Sequence, residues 1–261
     1  MARGAGAGPP LGILRPDWPA PARIGAAVTT RRGGVSRGPY AEFNLGDHVG
    51  DDPRAVSANR ARLIEALGLP EAPRWLHQCH GAGVVHLPEA GAAGLDADAA
   101  WTERPGVVCA VLTADCLPVL LCDRRGARVA AVHAGWRGLA AGVLETAVRS
   151  LTRSPAELLA WLGPAIGPES FEIGDEVRER LLAGDPRSHD AFQPAGSGRW
   201  RADLCALART RLEAAGVRAV YGGTTCTLRD PRRFYSYRRD GATGRMAALI
   251  WIRDPAAGAR S

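Results

Sequence analysis

The stretch VVCAVLTADCLPVLLCDRRGARVAAV, residues 107–132, decides the fold class. It holds three short apolar runs that are bounded by Gly, Pro or Asp: Val107–Thr113, Leu117–Cys122 and Arg128–Val132. Runs of this length between turn-forming residues favour strands over helices. Because the three strands follow one another directly, the sheet is expected to contain antiparallel as well as parallel pairs.

Outward from this stretch, strands alternate with helices. Further strands are predicted at residues 23–30, 84–87, 158–162, 219–226 and 246–252, and helices at 53–67, 138–153 and 203–216. Asp51 and Asp52, directly before Pro53, provide the expected N-cap of the first helix, and Gly68 is its expected end. Ser154-Pro155-Ala156-Glu157 is expected to begin another helix. Residues 184–199 are polar and glycine-rich, which predicts a surface loop. The pattern predicts an α/β protein with one domain over residues 23–261, preceded by a flexible tail over residues 1–22.

Composition excludes several function classes. All 33 basic residues of the 261-residue chain are arginines, which rules out Schiff-base chemistry, pyridoxal phosphate anchoring and a P-loop lysine. The net charge of +6 is compatible with anionic ligands or nucleic acid. Arginines interleaved with Phe234, Tyr235 and Tyr237 could stack bases, but no known nucleic-acid-reading motif accompanies them. We therefore expect no nucleic-acid partner.

Two features bear on where in the cell the protein is expected: the N-terminal residues and the longest apolar stretch. The N-terminal residues have no continuous apolar run of the kind found in secretory signals, and Asp115 and Pro118 interrupt the longest uncharged apolar stretch. We expect a cytoplasmic monomer with no membrane partner. In a reducing compartment the six cysteines serve packing, catalysis or metal binding.

Three stretches place His or Cys at the end of a predicted strand, where α/β sheets build their sites: LHQCHG (76–81), TADCLP (113–118) and AVHAGWRG (131–138). Residues Cys116 and His133 are 17 positions apart, enough for one strand out and its neighbour back. Together with a histidine of the first stretch they would supply three zinc ligands and leave the fourth position open. Spacing alone does not choose among these ligands, because His77, Cys79 and His86 compete, and all of them are also common core residues. The last stretch opens into the helix predicted over residues 138–153, whose N-terminus together with Arg137 offers an anion site.

At these residues the sequence resembles the YfiH family, also described as multicopper polyphenol oxidoreductase (laccase-like) or purine nucleoside phosphorylase. The resemblance spans residues 23–252 and rests on seven blocks: TTRRGGVSRGPYAEFNLGDHVGDDP (29–53), SANRARL (57–63), HQCHGAGV (77–84), TADCLPVLL (113–121), AVHAGWRG (131–138), LGPAIGPESFEIGDEV (162–177) and FYSYRRDGATGR (234–245). It implies a layered α/β sandwich with mixed β-sheets and flanking helices. It also implies zinc, or possible copper, held by His80, Cys116 and His133.

The activities that the resemblance implies are phosphorolysis of adenosine, inosine and methylthioadenosine, and deamination of adenosine. Asp115, beside Cys116, is the candidate for moving a proton, which requires the strand to bend before Pro118 because adjacent strand side chains face opposite ways. Arg60 and Arg137 are the candidate phosphate holders. Asn44 is a candidate for binding the base or ribose, and Arg238 is a further substrate contact.

Two other functions use the same residues. Cys116 as nucleophile and His133 as base would give a cysteine amidase that edits peptidoglycan precursors. A copper-dependent polyphenol oxidase is disfavoured, since a laccase needs about ten histidines and this chain has six. A non-catalytic metal or nucleotide sensor is disfavoured by an open coordination position beside a carboxylate.

Overall fold

The computed structural model describes residues 10–87 and 95–254. The strands of this part of the chain are β1 (Ile13–Leu14), β2 (Ile24–Thr29), β3 (Val84–His86), β4 (Ala99–Thr102), β5 (Val108–Thr113), β6 (Leu117–Asp123), β7 (Val129–Ala134), β8 (Leu158–Leu162), β9 (Glu172–Gly174), β10 (Phe192–Gly196), β11 (Arg199–Ala202), β12 (Ala219–Gly222) and β13 (Met246–Ile252). Its α-helices are α1 (Pro53–Leu67), α2 (Trp136–Ala141), α3 (Val143–Leu151), α4 (Asp175–Gly184), α5 (Leu204–Ala214) and α6 (Tyr237–Asp240). Short 3-10 helices lie at Gly38–Tyr40, Pro155–Glu157, Pro168–Ser170 and Pro186–Ala191.

The stretch 107–132 forms the three predicted strands, which belong to two sheets. Strands β6 and β7 are antiparallel neighbours in a six-stranded sheet of order β12-β8-β6-β7-β4-β3. The outer pairs β12–β8 and β3–β4 are parallel, so the sheet is mixed as predicted. Strand β5 lies instead in a four-stranded sheet of order β1-β2-β13-β5, in which every pair is antiparallel.

The two sheets pack face to face, and the alternation along β5 shows why. Cys109 and Val111 join a core cluster with β6, β7 and β8, while Val108, Ala110 and Leu112 face the opposite way. That opposite face packs against α1, and the outer face of the six-stranded sheet packs against α3 and α5. The layers are therefore helix, sheet, sheet and helix, which confirms the layered sandwich.

Helix α1 shows how local sequence sets an element. The Asp52 side chain accepts the Arg54 N–H at 2.9 Å, Pro53 occupies the first turn, and Gly68 ends the helix at φ 55°. A left-handed residue at this position favours glycine because it has no Cβ. The predicted bounds of this helix are confirmed.

Four predicted elements differ from the structure, and one of them is the strand predicted over residues 219–226, because β12 ends at Gly222. The helix predicted over residues 138–153 is two helices, because Gly142 has φ 84° and interrupts the hydrogen-bonding pattern between α2 and α3. The helix predicted from Ser154 is a single 3-10 turn, since β8 begins directly after it. The loop predicted over residues 184–199 was also wrong: its second half contains β10, which pairs with β11 and, through it, with β9 in a three-stranded sheet.

The tail predicted over residues 1–22 differs from the structure over its second part. Ile13 and Leu14 pair with β2, and Leu14, Trp18 and Ala20 pack against the core between the two sheets. This apolar burial holds the segment in place. Residues 1–9 and 255–261 lie outside the described part of the chain. Within the described residues, no helix has the length and apolar character needed to cross a bilayer.

Candidate metal centre

Three potential metal ligands meet at the strand ends on one side of the six-stranded sheet, where the central strand β6 begins and its neighbour β7 ends. One ligand atom from each of His80, Cys116 and His133 lies within 4.8 Å of the other two. The two imidazole rings stand at 80° to each other with centroids 4.8 Å apart. His133 is buried, Cys116 is half-buried and His80 is exposed, so the group opens to solvent on the His80 side.

The strand register brings these residues together. Pro118 of β6 lies opposite His133 of β7, so that Cys116, two residues earlier, lies beyond the end of the ladder beside the residues that follow His133. On the other side of β7, Ala99 pairs with Val132, which puts Asp98 next to His133. Neighbouring strand ends thus supply a thiol, an imidazole and a carboxylate.

Gly135 allows the close approach. A Cβ at this position would lie 2.9 Å from the Cys116 sulfur and 3.4 Å from the His80 ring. Its φ is −68°, which other residues adopt readily, so glycine is required here for space rather than for backbone conformation. This is the physical reason for a glycine in the block AVHAGWRG.

Asp98, which the sequence analysis missed, orients the group from behind. Its carboxylate is fully buried and accepts a hydrogen bond from His133 Nδ1 at 2.7 Å. It also accepts the backbone N–H groups of His80 at 2.9 Å and Gly81 at 2.6 Å. With Nδ1 engaged, His133 presents Nε2 as its ligand atom, as metal-binding histidines commonly do. Burial works to raise the pKa of Asp98, but the bonds from His133 and Gly81 outweigh it and lower that pKa.

Two residues of the site have a left-handed backbone, His80 at φ 61° and Asp115 at φ 90°. Such conformations are costly for residues with a Cβ and persist where surrounding bonds hold them. Asp98 holds His80 through the backbone bonds described above. The Asp115 carboxylate accepts hydrogen bonds from Thr227 Oγ1 at 2.6 Å, Ser236 Oγ at 2.9 Å and the Arg238 N–H at 2.7 Å.

The electrostatics of the group favour a thiolate. Burial works to raise the pKa of Cys116, but the imidazoles of His133 and His80 outweigh it and lower that pKa. Conversely, burial works to lower the pKa of His133, and the Cys116 sulfur and Asp98 outweigh it and raise that pKa. A thiolate and two imidazoles are donors that zinc accepts in three-ligand sites. Tetrahedral ligand atoms lie roughly 3.3–3.8 Å apart for zinc–ligand bonds of about 2.0–2.3 Å. A spacing of 4.8 Å would have to shorten by about 1.0–1.5 Å for the ligand atoms to bind one zinc ion.

The competing ligands have other partners. His77 bonds Asp96 at 2.6 Å on the surface, and His86 bonds Glu103 at 2.9 Å while stacking on Trp101. The Cys79 thiol donates to Asp98 at 3.3 Å, and this hydrogen bond, with a smaller effect of burial, raises the pKa of Cys79. Among the described residues, the group of His80, Cys116 and His133 is the one that meets the geometry of a metal site.

Arg60 lies in a pocket of about 420 Å³ that also contains Trp75, His48 and His77. Its Nε and Nη2 bond the Leu45 carbonyl at 3.0 and 2.9 Å, and its guanidinium lies 4.5 Å from the Trp75 ring centroid. An ion pair with Asp47 at 3.2 Å completes its surroundings. Arg60 is thus a cation held in place beside the Trp75 ring, and phosphate binding by Arg60 remains a prediction.

Asn44 is fully buried within its own loop. Its Nδ2 donates to the Gly46 carbonyl at 3.0 Å and to Asp51 at 2.9 Å, and its Oδ1 accepts the backbone N–H of Gly46 and of Arg245. The side chain thereby positions Arg245, another residue that the sequence analysis missed. Burial lowers the pKa of the Arg245 guanidinium, and the Cys116 thiolate and Asp115 partly restore it. Arg245 also lowers the pKa of His48, second to burial.

The other two predicted substrate contacts are Arg137 and Arg238. Arg137 is exposed in the first turn of α2, 4.4 Å over the ring of Trp136. Arg238 donates from Nη1 to the Glu172 carbonyl at 3.0 Å, while its backbone N–H holds Asp115. The structure therefore gives Arg238 a supporting contact to the turn before Cys116. Substrate binding by either side chain stays a prediction.

Solved structures share this architecture. A crystal structure of a Neisseria meningitidis protein superposes with a TM-score of 0.90 at 51% identity, covering 93% of this chain and all of that one. YlmD from Geobacillus stearothermophilus matches with a TM-score of 0.87 at 36% identity, covering 93% of this chain and 97% of that one. Both matches extend across the two sheets and their helices, which confirms the fold class.

Sequence relatives cover nearly the same length. A Pseudomonas aeruginosa protein named purine nucleoside phosphorylase is 57% identical over 242 residues, 92% of this chain and 98% of that protein. Escherichia coli YfiH, which carries the same name, is 51% identical over 240 residues with the same coverage. The family model described as multi-copper polyphenol oxidoreductase laccase matches residues 25–253. With agreement of this extent in sequence and in fold, the chain belongs to the YfiH family.

Proposed function

We propose that this chain is a zinc-dependent purine nucleoside phosphorylase that acts on adenosine, inosine and methylthioadenosine and also deaminates adenosine. The observation that carries the proposal is the group of His80, Cys116 and His133, open on the His80 side and oriented from behind by Asp98. The names of relatives at 51–57% identity support the reaction class. When bound, zinc supplies a Lewis acid that polarises a substrate oxygen or nitrogen.

The residues of this chain position the two substrates. In phosphorolysis, phosphate attacks the anomeric carbon while the purine leaves with its bonding electrons. The site must therefore hold a phosphate dianion and an aromatic purine ring. Trp75 offers a flat surface for the ring, and Arg60 and Arg245 offer positive charge for the phosphate. Asn44 keeps Arg245 in place through its backbone N–H. Holding both substrates in this orientation is the main contribution that such residues make to the rate.

Deamination needs a group that transfers protons, and Asp115 was predicted for this role. Both oxygens of its carboxylate accept hydrogen bonds from the protein. We propose that Asp115 acts by holding the turn that carries Cys116. An Asp115→Asn variant is then expected to lose phosphorolysis and deamination in parallel, whereas a proton-transfer role predicts a loss confined to deamination.

Metal analysis combined with adenosine turnover tests the proposal. We expect about one zinc per chain, adenine release that requires phosphate, and inosine formation without phosphate. His80→Ala should lose both the metal and the turnover. His86→Ala is the matched control, because His86 is a histidine of β3 outside the Arg60 pocket and pairs with Glu103. Phosphate-independent adenine release, or full activity of His80→Ala, would contradict the proposal.

A second candidate, a cysteine amidase, rests on a specific observation. Cys116, His133 and Asp98 form a thiol, base and orienting carboxylate in series, the arrangement of a nucleophilic triad. This reading leaves no role for His80, which favours the metal. A metal-free protein whose Cys116 reacts with iodoacetamide and which cleaves an amide substrate would reverse that preference. Copper-dependent polyphenol oxidation has weaker support, because the described residues contain one group of three ligands.

A further inference from the structure

The aromatic residues that the sequence places among arginines near the C-terminus have different surroundings in the structure. Phe234 and Tyr235 are fully buried, and the Tyr235 hydroxyl donates to the Tyr40 carbonyl at 2.6 Å. Tyr237, the first residue of α6, has 62% of its surface exposed. Among the Phe, Tyr and Trp residues that the structure describes, Tyr237 is the one that is exposed. The proposed function does not yet give this side chain a role.

The backbone of Tyr237 is fixed next to the metal centre. Both of its neighbours bond the same carboxylate oxygen of Asp115: Ser236 through Oγ at 2.9 Å and Arg238 through its backbone N–H at 2.7 Å. The second bond places the Tyr237 Cα within about 5 Å of that oxygen. Because Asp115 directly precedes Cys116, the start of α6 lies beside the turn that carries this potential metal ligand.

The ring of Tyr237 is free, in contrast to that of Trp75. The Arg60 guanidinium lies 4.5 Å from the centroid of the Trp75 ring. No ring or cation of the described residues stacks on Tyr237, and its hydroxyl makes no hydrogen bond with them. The faces of the ring and the hydroxyl are therefore available to a ligand.

The phenol also shares an electrostatic neighbour with the metal centre. Burial lowers the pKa of Arg245, and Cys116, Asp115 and Tyr237, in this order, work to raise it. The Arg245 guanidinium is therefore within electrostatic reach of both the thiolate and the phenol. This agrees with the position that the two bonds to Asp115 give to the start of α6.

We propose that Tyr237 is a specificity-determining residue that stacks on the purine base of the substrate. This inference rests on the proposed function, which requires a purine nucleoside beside the three potential metal ligands. Every base presents a flat aromatic face, and a tyrosine ring binds such a face at low entropic cost because it has two side-chain torsions. Trp75 remains a second aromatic surface, so Tyr237 strengthens base binding without being its only source.

Adenine is the probe, because it presents the base without ribose and cannot undergo phosphorolysis. The full-length, zinc-loaded protein is titrated with adenine by isothermal titration calorimetry. We expect Tyr237→Ala to bind adenine about tenfold more weakly than wild type, and Tyr237→Phe, which keeps the ring, to stay within about threefold. The zinc content should be unchanged in both variants. In turnover, Tyr237→Ala should raise the KM for adenosine by a similar factor and change kcat by less than about twofold.

His189→Ala is the matched control. His189 is another exposed ring, in the 3-10 helix Pro186–Ala191, and it belongs neither to the metal group nor to the Arg60 pocket. This variant should bind adenine as wild type does.

Several outcomes would overturn the inference. They are a wild-type protein that binds no adenine, unaltered adenine binding in Tyr237→Ala, and equal weakening in Tyr237→Ala and Tyr237→Phe. Loss of zinc from Tyr237→Ala would do the same, because it would give the residue a structural role beside Cys116. The absence of phosphate-dependent adenine release is a separate result: it would count against the proposed phosphorylase, whereas an adenine affinity that depends on the Tyr237 ring would still stand.

Discussion

Asp98→Asn tests the reasoning about the metal centre most directly. The substitution keeps size and shape, yet it removes the charge that accepts the bond from His133 Nδ1 and the backbone N–H groups of His80 and Gly81. An amide has one acceptor oxygen and an NH₂ group that would face these donors. His133 then loses the partner that selects Nε2 as its ligand atom, and the left-handed His80 loses part of its support.

The expected losses of zinc affinity and of folding stability follow from the effects of removing comparable contacts in other proteins. Removing a carboxylate behind a metal-binding histidine lowers metal affinity about 10- to 100-fold, which corresponds to about 1.4–2.7 kcal/mol. Removing one partner of a buried charge pair also destabilises a fold by about 3–5 kcal/mol. Asp98 is fully buried, so solvent does not screen either loss.

The assay is zinc competition against a chromophoric chelator, with urea unfolding of the chelated protein measured alongside. Asp96→Asn is the matched control, because Asp96 pairs with His77 at 2.6 Å through an exposed bond. We expect the control to stay within about twofold of wild type, since exposed pairs contribute little. Zinc affinity in Asp98→Asn that falls no further than in Asp96→Asn would refute the proposed role of the carboxylate.

Three further predictions concern other positions. Gly135→Ala places a Cβ 2.9 Å from the Cys116 sulfur and should lower zinc affinity about tenfold in the same competition assay while leaving the circular dichroism spectrum unchanged. Gly142→Ala puts a side chain at φ 84° and should lower the free energy of unfolding in urea by about 1–2 kcal/mol; no change would mean that the break between α2 and α3 relaxes freely. The Arg187 guanidinium holds the pKa of Asp185 below its usual value. The ionised Asp185 carboxylate therefore stabilises the fold above about pH 3.8, and this stabilisation is lost as the pH falls through the lowered pKa. Asp185→Asn should therefore be less stable than wild type at neutral pH and equal to it in strong acid, and equal melting temperatures at neutral pH would contradict this sign.

The sequence alone specified the elements that local physics controls. The apolar runs between turn residues predicted β5, β6, β7 and β13 to within one or two residues. Asp52 and Gly68 set the ends of α1 through a side-chain bond and a left-handed backbone, both of which involve immediate neighbours. The three strand-end stretches also contained the three potential metal ligands, because each stretch places a His or a Cys where a strand meets a turn.

The tertiary structure decided which of those candidates meet. Spacing left His77, Cys79 and His86 equal to His80, and nothing in the sequence marked Asp98 as the carboxylate behind His133. Which of these side chains lie close together depends on the register of β4, β6 and β7, which pairs residues that lie tens of positions apart in the chain. Local propensity acts over a few residues, whereas a metal centre requires side chains from distant strand ends to converge within a few ångströms, and only the packed sheet determines that distance.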